Sequence, residues 1–276
     1  MVLVKLKRRK VLASAAFAGS LLLAAPVPAE ETVRVGGTGI GLELSRLIGQ
    51  ALHAADPGVA TVVLPSIGTP GGIKALAAGA IDVAIAARPL KVAEKVTGIR
   101  EAACMTTALV FATSRKTAPG LTLEALPGIY ADPTPRWPDG QPLKVILRSP
   151  AGSENDYLVQ RVPALEGALA AAFRRPGIPV GATDQENAAL ATSIAGSFAI
   201  ATLLQIRTER LALTALALDG VEPAPETLAD GRYPMPLRVC FLLPGSATAG
   251  AAQFIAFTQP PAGQEILRRH GSEPTR

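Results

Sequence analysis

Two short stretches carry the residue types that could bind a small polar ligand. Thr38 and Gly39 lie inside the glycine-rich turn Gly36-Gly37-Thr38-Gly39-Ile40-Gly41, and Thr69-Pro70-Gly71-Gly72 opens a second apolar segment. A hydroxyl beside bare glycine amides at a helix start is suited to holding an anion or a polar acceptor, because the first-turn N–H groups lack intrahelical partners and carry partial positive charge. Thr69 is expected to cap the second helix and Pro70 to fill its first position, where a missing N–H costs nothing. An ordinary loop-to-helix junction would use the same residues. Bond-breaking chemistry is poorly provided for. His53 and His270 are the only histidines, and neither lies near a nucleophile. No G-x-S-x-G elbow, no P-loop ending and no Cys/His cluster of zinc spacing occurs. We therefore expect a binding protein, not an enzyme, with no cofactor and no metal.

The elements around these turns alternate. Residues 32–36 read as a strand, and a helix follows to about residue 55 with Leu44, Leu47, Ile48, Ala51, Leu52 and Ala55 on one face. Residues 59–64 are the next strand, 70–78 a short helix and 81–86 a third strand. This is a βαβαβ order, which predicts a parallel sheet whose two turns open on one edge. Further strands are expected at 104–113, 143–147, 197–202 and 237–243, with helices from Ser153, at 164–173, at 186–195 and near the C-terminus. Ser153 and Asp156 have the spacing of a weak capping box. Asp82, just before a strand, suits a turn or capping partner better than a catalytic acid. The chain crosses near residue 113 and again at 205–215. The expected organisation is therefore one lobe from 30–112 and 206–276 and a second from 113–205.

Charge and address point outside the cytoplasm. The chain carries a formal +5, but its first 29 residues hold five basic and no acidic side chains, so the remaining 247 residues are neutral. That leaves no electrostatic case for nucleic acid. Lys5, Lys7, Arg8, Arg9 and Lys10 precede an apolar run to Ala25, and Val27-Pro28-Ala29 offers a cleavage site after Ala29. Residues 1–29 thus read as a signal peptide, either of the plain type or of the twin-arginine type. In an oxidising compartment the two cysteines, Cys104 and Cys240, either pair or stand as buried small hydrophobes.

Four segments in order resemble the phosphate-binding proteins of ABC importers, the PstS-like group of the type 2 periplasmic-binding-protein fold. They are Gly37-Thr38-Gly39; Gly68 to Lys74 with Gly79, Asp82 and Pro89-Leu90; Leu121 to Trp137; and Asp219-Gly220-Val221 with Pro223, followed by Asp230 to Pro234. The resemblance implies two α/β lobes with a ligand cleft between them. It also implies a monomeric periplasmic protein that delivers phosphate, or another oxyanion or carboxylate, to an inner-membrane ABC permease. By the same resemblance Thr38, Gly39, Thr69, Gly71, Arg148, Ser153 and Asn155 fall at or near ligand positions. The family's aspartate reads as Ala87, Ile40 stands where a hydroxyl is usual, and Glu154 and Asn155 replace a glycine and a threonine. Arg148 lies one residue further from Ser153 than the family spacing. A carboxylate in such a pocket governs which protonation state of an anion is accepted, and Ala87 lacks it. Arg88 would supply positive charge if it faced the cleft, and is otherwise a surface arginine. Glu154 would repel an anion if turned inward, and would merely support its helix dipole if turned outward. The alternative reading is an accessory or ligand-sensing protein of the same fold that does not bind phosphate.

Overall fold

A computed structural model describes residues 30–95, 98–150 and 152–275. The expected signal segment lies outside the described residues. The first unit runs β1 (Glu31–Gly37), α1 (Leu42–Ala55), β2 (Val59–Val63), α2 (Gly68–Ala77) and β3 (Val83–Ala86). β1 pairs in parallel with both β2 and β3. The buried stripe of α1 is Leu42, Leu44, Ser45, Ile48, Gly49 and Leu52. Leu47 and Ala51 are only half-buried and Ala55 is exposed, so the buried stripe is narrower than the sequence pattern predicts. After the short α3 (Val92–Lys95) comes the fourteen-residue β4 (Arg100–Thr113). It pairs with elements from both halves of the molecule.

The second half adds α4 (Leu126–Ala131), β5 (Lys144–Val145), β6 (Leu147–Arg148), α5 (Ser153–Arg161), α6 (Leu165–Arg174), β7 (Val180–Gly181), α7 (Asp184–Ser193) and β8 (Ser197–Thr202). The chain returns through α8 (Leu203–Thr208), β9 (Thr214–Ala215), α9 (Pro225–Ala229) and β10 (Pro236–Leu243), and closes with α10 (Ala249–Phe257), α11 (Pro261–Arg269) and β11 (Ser272–Thr275). The main sheet is ordered β2-β1-β3-β10-β4-β8-β5, with β9 and β11 also on β4, and a separate parallel pair joins β6 to β7. The fold is therefore the expected mixed α/β architecture, with the antiparallel β10 and β4 joining its two sides.

One continuous apolar core runs through both sides. Val33, Val35, Leu44, Ile48 and Phe254 are almost fully buried on one. On the other, Phe198 stacks on Phe111 at 5.2 Å and receives the edges of Tyr130 and Trp137. Rings at such spacings add to burial through their quadrupoles, beyond the roughly 1.5–3 kcal/mol that each large apolar side chain contributes. Cys104 and Cys240 face each other in the β4–β10 register and form a disulfide. Asp82 accepts from the backbone and guanidinium of Arg34, tying the entry of β3 to β1.

Candidate functional site

The turn after β1 is shaped by close backbone approach. Gly37 has φ +129°, and a Cβ there would collide with the backbone of Ile85. Gly72 sits against the Gly37 Cα. These contacts draw the start of α2 onto the β1 turn, and so bring Thr38 and Thr69 to the same edge of the sheet. Thr69 does this by a route that differs from the expected cap. The N-cap of α2 is Ile67, and Gly68, with φ +69°, turns the chain into the helix. The Thr69 hydroxyl instead accepts the Ala87 N–H at 3.0 Å, which fastens α2 to the end of β3. Ile40 faces the core.

A cleft of about 360 Å3 opens there. Thr38 and residues 66–70 line one wall; Arg148, Ser149 and residues 152–154 and 182–184 line the other. A larger recess of about 440 Å3 lies under the proline-rich segment 133–135. Its arginines are already engaged: Arg175 donates to the Tyr130 and Asp132 carbonyls and Arg136 to that of Gly140. Convergent polar groups from both halves single out the smaller cleft.

Of the expected residues, Thr38, Thr69, Arg148 and Ser153 line this cleft, and the Gly39 amide stands directly behind it. Gly71, Arg88 and Asn155 do not line it. A Cβ on Gly71 would meet Ile67, within its own turn. Asn155 donates to the Ser149 carbonyl at 2.8 Å and so braces the loop before α5. Arg88 makes two hydrogen bonds to Glu94, at 2.8 and 2.7 Å. Those bonds pull the Glu94 carboxyl down to about 2. Arg88 also feels Asp156 of α5, so it sits within reach of the opposite wall's field without entering the cleft. α5 does begin at Ser153, but its N-cap is Gly152 and Ser153 makes no capping bond.

The centre of the cleft is a cluster of three charged groups. Arg148 is 6% exposed. Its Nη2 lies 3.0 Å from Asp184 Oδ1 and 3.9 Å from Glu154 Oε1, and its Nη1 donates to the Thr183 carbonyl. Asp184 was not among the residues expected from sequence. Its Oδ2 accepts the Gly39 N–H at 2.8 Å and the Thr38 hydroxyl at 3.3 Å. Glu154 turns inward and is also 6% exposed, so it takes the repelling orientation of the two. Burial first, and the Asp184 charge second, push its carboxyl above the usual carboxylate range, while Arg148 pulls it back. Thus two carboxylates face a single guanidinium. Behind them Gln185 Nε2 donates to the Gly39 carbonyl and to Glu209, and Gln205 Nε2 to the Asp184 carbonyl. These amides hold the first turn of α7 against the β1 turn.

The signal for Asp184 was present in the sequence. Thr183-Asp184-Gln185-Glu186 is a full capping box, with the Thr183 hydroxyl accepting from Glu186 N and the Glu186 carboxylate accepting from Thr183 N. A helix beginning at Glu186 leaves Asp184 in a loop; the Thr-x-x-Glu pattern starts it two residues earlier.

A PBP superfamily domain model matches residues 24–260, and the chain belongs to that superfamily. Among solved structures, a phosphate ABC transporter substrate-binding protein from Clostridium perfringens, with bound phosphate, superposes with TM-score 0.74 at 20% identity, over 89% of this chain and all of that one. An ABC-type phosphate transport receptor from Vibrio cholerae superposes with TM-score 0.58 at 15% identity, covering 88% and 99%. A periplasmic molybdate-binding protein from Azotobacter vinelandii gives 0.57 at 17% identity, covering 88% and 100%. No protein of curated function is matched by the sequence. At these identities the solved structures establish a shared fold.

Proposed function

We propose that this chain is an exported solute-binding protein that closes two lobes over a small oxyanion and presents it to an inner-membrane ABC permease. Phosphate is the first ligand to test. The lobes are taken as 30–112 with 206–276, and 113–205. One observation supports the reading above the others: the Gly39 amide, the Thr38 hydroxyl and the Arg148 guanidinium already grip an oxyanion, the Asp184 carboxylate. Amide, hydroxyl and guanidinium donors of this kind make the strong charge-assisted bonds of anion sites. Thr69 and Ser153 flank them. The solved relatives named for phosphate and molybdate give the choice of ligand its direction. The protein acts as a periplasmic monomer, with no cofactor, nucleic-acid partner or catalytic role. Its signal peptide is residues 1–29, by the plain or the twin-arginine route.

Calorimetric titration of the exported chain with phosphate, sulfate and molybdate tests this. Saturable heat with one of them, lost in Arg148→Met, is expected. No heat and no thermal shift at millimolar concentrations of all three would refute the oxyanion reading. A second reading, an accessory protein of the same fold that does not carry phosphate, draws on the inward Glu154, whose charge opposes a free anion.

A further inference from the structure

Asp184 has a structural role that is easily stated: an acid in the first turn of α7, favoured by the helix dipole. That role does not account for where its oxygens go. Neither is spent on an amide of α7; one accepts from the Gly39 amide and Thr38 hydroxyl on the far wall, and the other pairs with Arg148 on its own wall. The carboxylate thus bridges the donors that a free oxyanion would have to bridge. A Cβ on Gly39 would lie 2.7 Å from Asp184 Oδ2, so the two walls are in close contact at this point. Two further hydrogen bonds join α5 to the segment that enters β10. Tyr157 of α5 donates to the Pro236 carbonyl at 2.5 Å and Arg161 to that of Pro234 at 2.7 Å.

We propose that Asp184 is a tethered anion: its carboxylate occupies the oxyanion position, latches the lobes together without ligand, and sets the affinity threshold a free oxyanion must exceed. This rests on the oxyanion reading of the cleft. A ligand that needs the unlatched state has its apparent affinity reduced by the fraction of molecules in that state. The tether therefore passes only ligands that compensate Arg148 and the Gly39 amide better than one carboxylate does. Charge is part of that selection, since an anion entering beside Asp184 would also meet Glu154.

The test compares the exported wild-type chain with Asp184→Ala and Asp184→Asn by small-angle scattering and by calorimetry with inorganic phosphate. The Asn variant keeps the side-chain volume, and circular dichroism confirms folding of both. The expected result is a larger radius of gyration for Asp184→Ala without ligand, its return to the wild-type value with phosphate, and phosphate affinity at least tenfold above wild type in both variants. Wild-type scattering together with wild-type affinity would overturn the proposal. Opening of the variant without any phosphate binding would sustain the latch while refuting the oxyanion reading, so the two can fail separately.

Discussion

Replacing Arg148 by Met should destabilise the protein strongly at neutral pH and only modestly in acid. The side chain is buried with two acids, Asp184 at 3.0 Å and Glu154 at 3.9 Å, each under a tenth exposed. Removing one partner of a buried ion pair costs about 3–5 kcal/mol, because the remaining charge stays desolvated. With two carboxylates left behind, we place Arg148→Met at the upper end of that range near pH 7.5. The sign of the pH dependence follows from Glu154, whose carboxyl is raised mainly by burial and then by Asp184. An acid raised on folding contributes stability below its unfolded value, and that contribution is lost as pH climbs through the folded value. Without Arg148 this penalty grows. Once Glu154 is protonated that penalty is gone, and what remains is the lost hydrogen bond to Thr183, worth about 1–2 kcal/mol. Urea unfolding of both proteins at about pH 7.5 and about pH 3 measures the two losses. Glu154→Gln is the companion variant: it should unfold like wild type in acid and at a higher midpoint near pH 8. An equal loss for Arg148→Met at both pH values would mean that packing, not charge, governs the site.

Three further outcomes are expected. Cys104→Ala with Cys240→Ala opens a link across 136 residues and should cost about 2–5 kcal/mol by loop entropy, read as a lower urea midpoint that reduced wild type reproduces. Thr69→Val leaves the buried Ala87 N–H without its acceptor and should cost about 1–3 kcal/mol, with Thr69→Ser restoring most of it in thermal melts. Glu94 is held at about 2 by Arg88, so its contribution is present above the ordinary glutamate value and lost as pH falls through about 2. Arg88→Ala should therefore lower the melting temperature at pH 7, converge with wild type near pH 2, and leave phosphate titrations unchanged.

The architecture was readable because its signals are periodic and local. The apolar stripe of α1, the run 81–86 and the glycine turn between β1 and α1 each specify an element from a few neighbouring residues. The cleft was readable where a turn carries its own chemistry, as at Thr38 and Thr69. It was not readable where function depends on a side chain's choice of partner. Thr69 resembles a cap, yet β3 presents an N–H that claims its hydroxyl. Arg88 follows a strand that could have aimed it into the cleft, and Glu94, six residues on, captures it instead. Glu154 and Asp184 are thirty residues apart, and only the tertiary fold makes them compete for one guanidinium.

One strand governs how the walls of the cleft can separate. β4 pairs with β10 and β11 along residues 100–108 and with β8 and β9 along 109–113. It runs through the main sheet without interruption, joining strands from both sides of the molecule. Such a joint resembles a torsion bar more than a slack cord: any parting of the two sides must twist or bend one hydrogen-bonded ribbon. The disulfide at Cys104 clamps the bar at one end. Motion between the two sides of the sheet is therefore coupled to the shape of this one ribbon.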